Sequence, residues 1–336
     1  MSESPETSGR VLSARQLAAW SGVLFGATML VWLICTLIGV YELSWNVWQT
    51  RAYRLLAAAT VGAGLAAAGM ALQGMLRNPL AEPYILGVSS GAGVGVLAGL
   101  ALGARLHWPD WLSTTVLGLV GAMATCAVVY GIAQRRGRLD PYILLLSGVI
   151  VNVFNGAVIF AVLLVARYDQ LTRFIGWGMG KVPDDVWFQP KLMVFCAVWV
   201  VGGWAVLLIR GAAFNALGLG DDVAASSGVA VHWLRVETFI VVSLMTAAAV
   251  ALAGPIGFIG LIVPHVCRLV VGPDHRKLVI ISGFAGAVFL MVADTFCRTA
   301  GQWFRLGEIP VGIVTAFCGG PFFIYLLRRR SREAAP

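Results

Sequence analysis

The chain has 336 residues, 59% of them hydrophobic and only 12% charged, about half the charged share of an ordinary soluble domain. With a mean hydropathy of +0.84, these values exclude a soluble enzyme, a disordered chain and a nucleic-acid-binding domain, and leave an integral membrane protein built of helices. A transmembrane β-barrel is excluded too, because barrel strands alternate apolar and polar residues while the apolar segments here are apolar all round. The net charge of +8 comes mostly from arginines, which read as anchors for the cytoplasmic ends of helices.

Charge-free apolar runs cover about 17–41, 55–76, 83–104, 111–134, 141–166, 192–209, 278–293 and 309–327, each matched to roughly 30 Å of hydrocarbon. The first follows Glu3 and Glu6 and is longer than the apolar region of a signal peptide, so it reads as a retained span. The stretch 238–271 is too long for one span and short for two, and Gly254-Pro255-Ile256-Gly257 interrupts it with turn-forming residues. Charge decides. Arg135, Arg136 and Arg138 form one basic loop, Arg210 and Arg235 flank another, Arg268, Arg276 and Lys277 form a third, and Arg328, Arg329, Arg330 and Arg332 close the chain. All four lie on the cytoplasmic side only if 238–271 crosses twice. The expectation is an all-α integral membrane protein with ten transmembrane helices in one domain over 15–330 and both termini cytoplasmic. Residues 1–14 read as a disordered N-terminus and 331–336 as a short tail.

In the third span Gly87, Gly91, Gly95, Gly99 and Gly103 recur every fourth residue, a stripe that lets another helix approach closely or lines a pathway. The connection Arg77-Asn78-Pro79-Leu80-Ala81-Glu82-Pro83 is stiffened by two prolines and reads as a hinge, a docking surface or a tight cytoplasmic turn. Gly254, Gly257 and Gly260 cluster beside Pro255. The inner connection 210–237 carries Asp221 and Asp222 before, and Gly228 after, a short segment, which are helix start and stop signals. A second short helix is expected through Val231 to Arg235. Such exposed helices suit a handle for a partner, or a connector resting on headgroups.

Arg51 and Arg54 lie on one face at the outer end of the second span, and Arg298 and Arg305 at the outer end of the ninth. Arginines on that side run against the charge bias, and fit either docking of an acidic surface or snorkelling to lipid headgroups. Asp294 is the one carboxylate well inside an apolar run; it reads as a functional group or as an i,i+4 partner of Arg298. Cys35, Cys126, Cys196, Cys267, Cys297 and Cys318 show no C-x-x-C spacing, and His107, His232, His265 and His275 no ligand spacing, so no metal site is expected. Gly176-Trp177-Gly178-Met179-Gly180-Lys181-Val182 lacks the glycine offset and the Ser or Thr of an ATP-binding loop. If ATP is used, a separate chain binds it.

Gly74-Met75-Leu76-Arg77-Asn78-Pro79-Leu80-Ala81-Glu82-Pro83-Tyr84-Ile85-Leu86-Gly87-Val88-Ser89-Ser90-Gly91-Ala92 resembles the signature of the FecCD-type permeases, the membrane subunits of type II ABC importers for iron-siderophores, haem and vitamin B12. Ala253-Gly254-Pro255-Ile256-Gly257-Phe258-Ile259-Gly260-Leu261-Ile262-Val263-Pro264-His265 resembles a second family block. Asp274-His275-Arg276, Asp294 with Arg298, Glu308 to Thr315 and Gly320-Pro321-Phe322-Phe323 continue the likeness, which spans roughly 50–330.

The resemblance implies the type II importer fold in a homodimer whose pathway follows the dimer axis. It implies coupling helices at about 213–235, where Asp221, Asp222, Val223, Ala224, Ala225, Ser226, Ser227, Gly228 and Val229 would sit in a groove of the ATPase. Arg51, Arg54 and Arg298 would receive acidic residues of a periplasmic binding protein. Gly87, Gly91, Gly95, Asn78, Pro79, Gly254, Pro255 and Gly257 would serve packing or gating. Two ABC ATPase copies would bind ATP and Mg, while this chain carries no cofactor and is not itself an enzyme. The expected setting is the inner membrane with its lipid, and the expected cargo an iron chelate, siderophore or haem, with cobalamin as the alternative. Glu82 replaces an aspartate common in the family, and 175–185 departs from its W-x-x-G-S-L pattern. An ion-coupled secondary transporter would need midplane carboxylates, of which only Asp294 qualifies. A membrane enzyme would need a clustered catalytic site, and none is visible.

Overall fold

The computed structural model describes residues 14–39, 42, 44–106, 112–135, 137–184, 190–305 and 307–333. Among these residues the chain is helical almost throughout: α1 Ala14–Leu37, α2 Trp45–Leu76, α3 Val88–Leu106, α4 Leu117–Ala133, α5 Pro141–Leu163, α6 Tyr168–Gly178, α7 Pro190–Gly218, α8 Asp221–Ser226, α9 Val231–Ala253, α10 Ile259–Val271, α11 His275–Trp303 and α12 Val311–Glu333. A 3-10 turn, Pro83–Leu86, leads into α3. Gln134–Arg135 and Arg138–Leu139 form a two-residue hairpin, β1 and β2. The expectation of disorder over 1–14 falls almost wholly outside the described residues.

Among the described residues, seven helices are long and apolar enough to cross a membrane: Ala18–Leu37, Trp45–Leu76, Thr114–Ala133, Pro141–Leu163, Pro190–Gly218, Val231–Ala253 and His275–Trp303. Val88–Gly103, Ile259–Val271 and Val311–Leu326 are shorter apolar helices. Helix limits follow local chemistry. Asp140 caps α5, accepting from the N–H groups of Tyr142 and Ile143, with Pro141 at the first helical position. Asp274 caps α11 in the same way through Arg276. Arg77 ends α2 in the left-handed region, at φ 48.

Helices α2, α7, α9, α10 and α11 share the densest part of the core, and α3 packs on α4. Small residues set these crossings, because apolar burial gives little drive to helix association in lipid. A Cβ on Gly62 would lie 2.1 Å from the Gly286 carbonyl oxygen, and one on Gly286 would lie 2.3 Å from that of Gly62. Gly69 meets Gly260 at 2.0 Å by the same measure. In the glycine stripe, Gly91 faces Gly121 and Gly95 faces the Leu117 carbonyl, so those positions serve close packing of α3 on α4. Elsewhere, large apolar side chains such as Phe154, Phe160, Val194 and Val201 are exposed, as a lipid-facing surface requires.

One expectation is corrected. Residues 231–235 are the first turns of α9, not a separate short helix. The connection between α5 and α7 contains a helix of its own, α6, whose Gln170 donates to the Leu100 carbonyl. The break expected at 254–257 is present, between α9 and α10.

Candidate functional site

Three groups of polar residues stand out against the apolar bundle. The first gathers at the start of α2. Arg54 is 2% exposed, and Asp294 of α11 is 0% exposed. Arg54 Nε lies 2.9 Å from Asp294 Oδ2, and Nη2 lies 2.7 Å from Oδ1. The fork geometry satisfies a carboxylate that would otherwise be costly to bury. Asp294 therefore pairs across helices with Arg54; the expected i,i+4 pairing with Arg298 is replaced by this contact.

The remaining nitrogen of Arg54, Nη1, meets two further carboxylates, Asp184 and Glu308. Lys181 joins them, touching Glu308 and lying 3.8 Å from Asp184. Burial alone would raise the Asp184 carboxyl, but the charge and hydrogen bond of Arg54, with Lys181 beside it, hold it below the usual range. Arg51 donates to the Thr36 carbonyl, and a glycine at 39 leaves room for its guanidinium. Arg298 Nη2 donates to the carbonyls of Cys35 and Ile38, while its buried Nε and Nη1 have no hydrogen-bond partner. Arg51, Arg54, Arg298, Arg305, Asp184 and Glu308 line one cavity of about 720 Å³. The docking arginines expected from sequence are thus brought together, and all three are buried in the single chain. Asp184, Glu308 and Lys181 were missed, since no local spacing announces contacts across more than a hundred residues.

The second group holds the break between α9 and α10. Gly254 has φ 67, and Phe258 adopts φ 70 although it carries a side chain. The Phe258 N–H donates to Glu82 Oε1. The Tyr84 hydroxyl accepts from the Ile256 N–H at 2.9 Å and donates to the Ile256 carbonyl at 3.1 Å. Gln73 donates to the Gly260 carbonyl, and Pro83 fills the space a side chain on Gly260 would need. The connection 77–83 is therefore more than an exposed turn. Its first half is an Asx turn, with Asn78 Oδ1 accepting from Leu80 N–H next to Pro79. Ala81 and Pro83 are buried, and the far end props the break. Toward the other face, the Lys181 N–H donates to the Ala253 carbonyl and the Gly312 N–H to the Gly180 carbonyl. Pro255 and Gly312 share a second cavity, of about 470 Å³, with Met179, Ile313 and Phe317.

The third group is α8. Asp221 bridges Arg77 at 3.2 Å and Arg235 at 2.8 Å, and Ala224 is the buried anchor. Val229 N–H bonds back to Ala224 O and Gly228 N–H to Ala225 O, with Gly228 at φ 84, so the helix closes in a Schellman motif. Asp222, Val223, Ala225, Ser226 and Ser227 are exposed on this fixed stub. Among the described residues there is no cluster of three or more His, Cys, Asp or Glu that could hold a metal.

Residues 17–329 match the FecCD transport family. The chain belongs to that family. This FecCD protein is 42% identical over 286 residues to the cobalamin import system permease protein BtuC of Halobacterium salinarum, covering 84% of this chain and 73% of that protein. It is 36% identical to the vitamin B12 import system permease protein BtuC of Vibrio cholerae, covering 92% and 93%. With the hemin transport system permease protein HmuU of Yersinia pestis it shares 34% identity over 86% and 85%. It also superposes on a metal-chelate type ABC transporter solved in an inward-facing conformation, with TM-score 0.79, 28% identity and coverage of 92% and 99%. The FecCD protein is a multi-pass membrane permease of an ABC importer, a family in which a separate ATPase hydrolyses ATP.

Proposed function

We propose that this permease moves an iron chelate, a siderophore or haem, across the inner membrane from a periplasmic binding protein. The seven long helices and the three shorter apolar ones together make ten crossings, with both termini cytoplasmic. Two copies form the pathway along their shared axis. ATP and Mg are bound by two ATPase subunits, and this chain carries no cofactor. The single observation that carries the coupling part is α8, a capped stub whose outward residues Asp222, Val223, Ala225, Ser226 and Ser227 are exposed while Ala224 and Asp221 fix it to the bundle. Residues Asp221 to Val229 engage the ATPase. On the opposite face the arginine-lined cavity of Arg51, Arg54 and Arg298 takes carboxylates of the binding protein. In between, the Pro-stiffened 77–83 connection and the 254–258 break act as the gating elements.

ATP supplies the free-energy difference between inward- and outward-open states, since a ligand shifts such an equilibrium only by its differential affinity. Cobalamin is the second reading of the cargo, favoured by the 42% identity to an importer permease named for it. The test is vanadate-sensitive ATP hydrolysis by the permease co-purified with its ATPase in lipid, with binding protein loaded in turn with haem, ferric siderophore and cobalamin. Stimulation by an iron chelate supports the proposal. Stimulation by cobalamin alone replaces the cargo.

A further inference from the structure

The outer charge cluster contains more carboxylates than Arg54 needs. Asp294 already neutralises it with two-point contact inside the bundle. Yet Asp184 and Glu308 converge on the same guanidinium from the other side. The two halves differ in exposure. The Asp294 side chain is 0% exposed, whereas Asp184 is 55%, Lys181 39% and Glu308 20% exposed. The inner half is structural, and the outer half is open to exchange.

The outer half also joins two separate connections. Asp184 and Lys181 come from the segment after α6, and Glu308 from the segment between α11 and α12. Each is preceded by a glycine in the left-handed region, Gly180 at φ 68 and Gly307 at φ 74, a position where the chain can turn without side-chain strain. The first segment is tied further to the gating break. Lys181 N–H holds the last carbonyl of α9, and Gly180 O holds the first turn of α12.

We infer that Asp184, Glu308 and Lys181 form an autoinhibitory latch over Arg54, which the docking carboxylates of the binding protein must displace. The inference rests on the docking role proposed above for the outer arginines. In the resting permease, the chain's own acids occupy the outward nitrogen of Arg54 and clip the two connections together. An incoming carboxylate takes that nitrogen, Asp184 and Glu308 swing out, and the 179–184 segment loosens its hold on the ends of α9 and α12. Docking and the first loosening of the outer mouth become one event. Occupancy of the latch lowers the apparent affinity for the binding protein by the fraction of permease that is unlatched.

The test uses the permease–ATPase complex in lipid nanodiscs and the binding protein that stimulates its ATP hydrolysis. Asp184→Asn with Glu308→Gln should tighten binding-protein affinity by roughly 5-fold or more. Amide hydrogen exchange over 178–184, read without binding protein, should quicken in the same variant. Unchanged or weaker affinity, or unchanged exchange, overturns the latch. Docking itself is read separately in Arg54→Met with Asp294→Leu, which removes the buried pair together and so avoids stranding Asp294 in the interior, and in Arg298→Gln. If both leave affinity intact, the docking reading fails. If they weaken it while the acid variant changes nothing, the latch alone fails.

Discussion

Arg54 and Asp294 join α2 to α11 across 240 positions of sequence, with Nε to Oδ2 at 2.9 Å and Nη2 to Oδ1 at 2.7 Å, and neither side chain more than 2% exposed. The same two helices meet at Gly62 and Gly286. One contact is electrostatic and the other steric, and together they set how closely these two long helices approach.

The two members of the pair are not equivalent. Removing Arg54 strands Asp294 in the interior, whereas removing Asp294 leaves Arg54 in contact with Asp184 and Glu308. Breaking a buried pair from one side costs about 3–5 kcal/mol. Arg54→Ala should therefore destabilise by about that amount and Asp294→Ala by distinctly less, measured as thermal unfolding in detergent. Equal losses would count against this division.

Gly62→Ala and Gly286→Ala each place a Cβ within 2.3 Å of a backbone oxygen. Overpacking of this kind costs about 1–3 kcal/mol. Gly202→Ala, with no atom within 4 Å of the added carbon, should be neutral or stabilising by about 0.5–1 kcal/mol, since alanine is the better helix former. The same unfolding assay checks the contrast.

At the break, Glu82→Ala leaves the half-buried Phe258 N–H without its acceptor, a loss of about 1 kcal/mol. Glu82→Gln keeps an acceptor oxygen and should cost less. The functional readout is the ATPase rate stimulated by binding protein, expected to fall in Glu82→Ala and largely recover in Glu82→Gln.

Asp184 has a depressed folded pKa. Its stabilising contribution is therefore present above the unfolded value of about 3.9 and is lost as pH falls from there through the folded value. Hydrogen exchange over 178–184 should show no loss of protection from this carboxyl between about pH 5 and 8 and should begin to lose it below about pH 4.

Much of this fold is written in local sequence. Gly254-Pro255 announces the break, Asp140-Pro141 the start of α5, and Asp221 with Gly228 the ends of α8. Arg51, Arg54 and Arg298, which line one cavity, also carried a sequence signal, because they run against the charge bias of the expected topology. What the sequence hid is tertiary. Val231 to Arg235 carries no stop signal before the α9 run, and so joins it. Asp184 and Glu308 are isolated acids in two distant connections, and only the folded chain brings them onto one guanidinium. Tyr84 and Glu82 likewise acquire meaning through Ile256 and Phe258, more than a hundred and seventy positions away.

The most direct measurement is uptake of loaded cargo into proteoliposomes containing the permease and its ATPase, comparing the native chain with Asp222→Lys. Asp222 is exposed on α8, so the variant should fold and insert as the native chain does. The account predicts that the native complex accumulates cargo only with ATP and binding protein, and that Asp222→Lys loses most of that uptake together with ATPase association. Undiminished ATP-driven uptake in Asp222→Lys, or accumulation driven by an ion gradient without ATP, would contradict it.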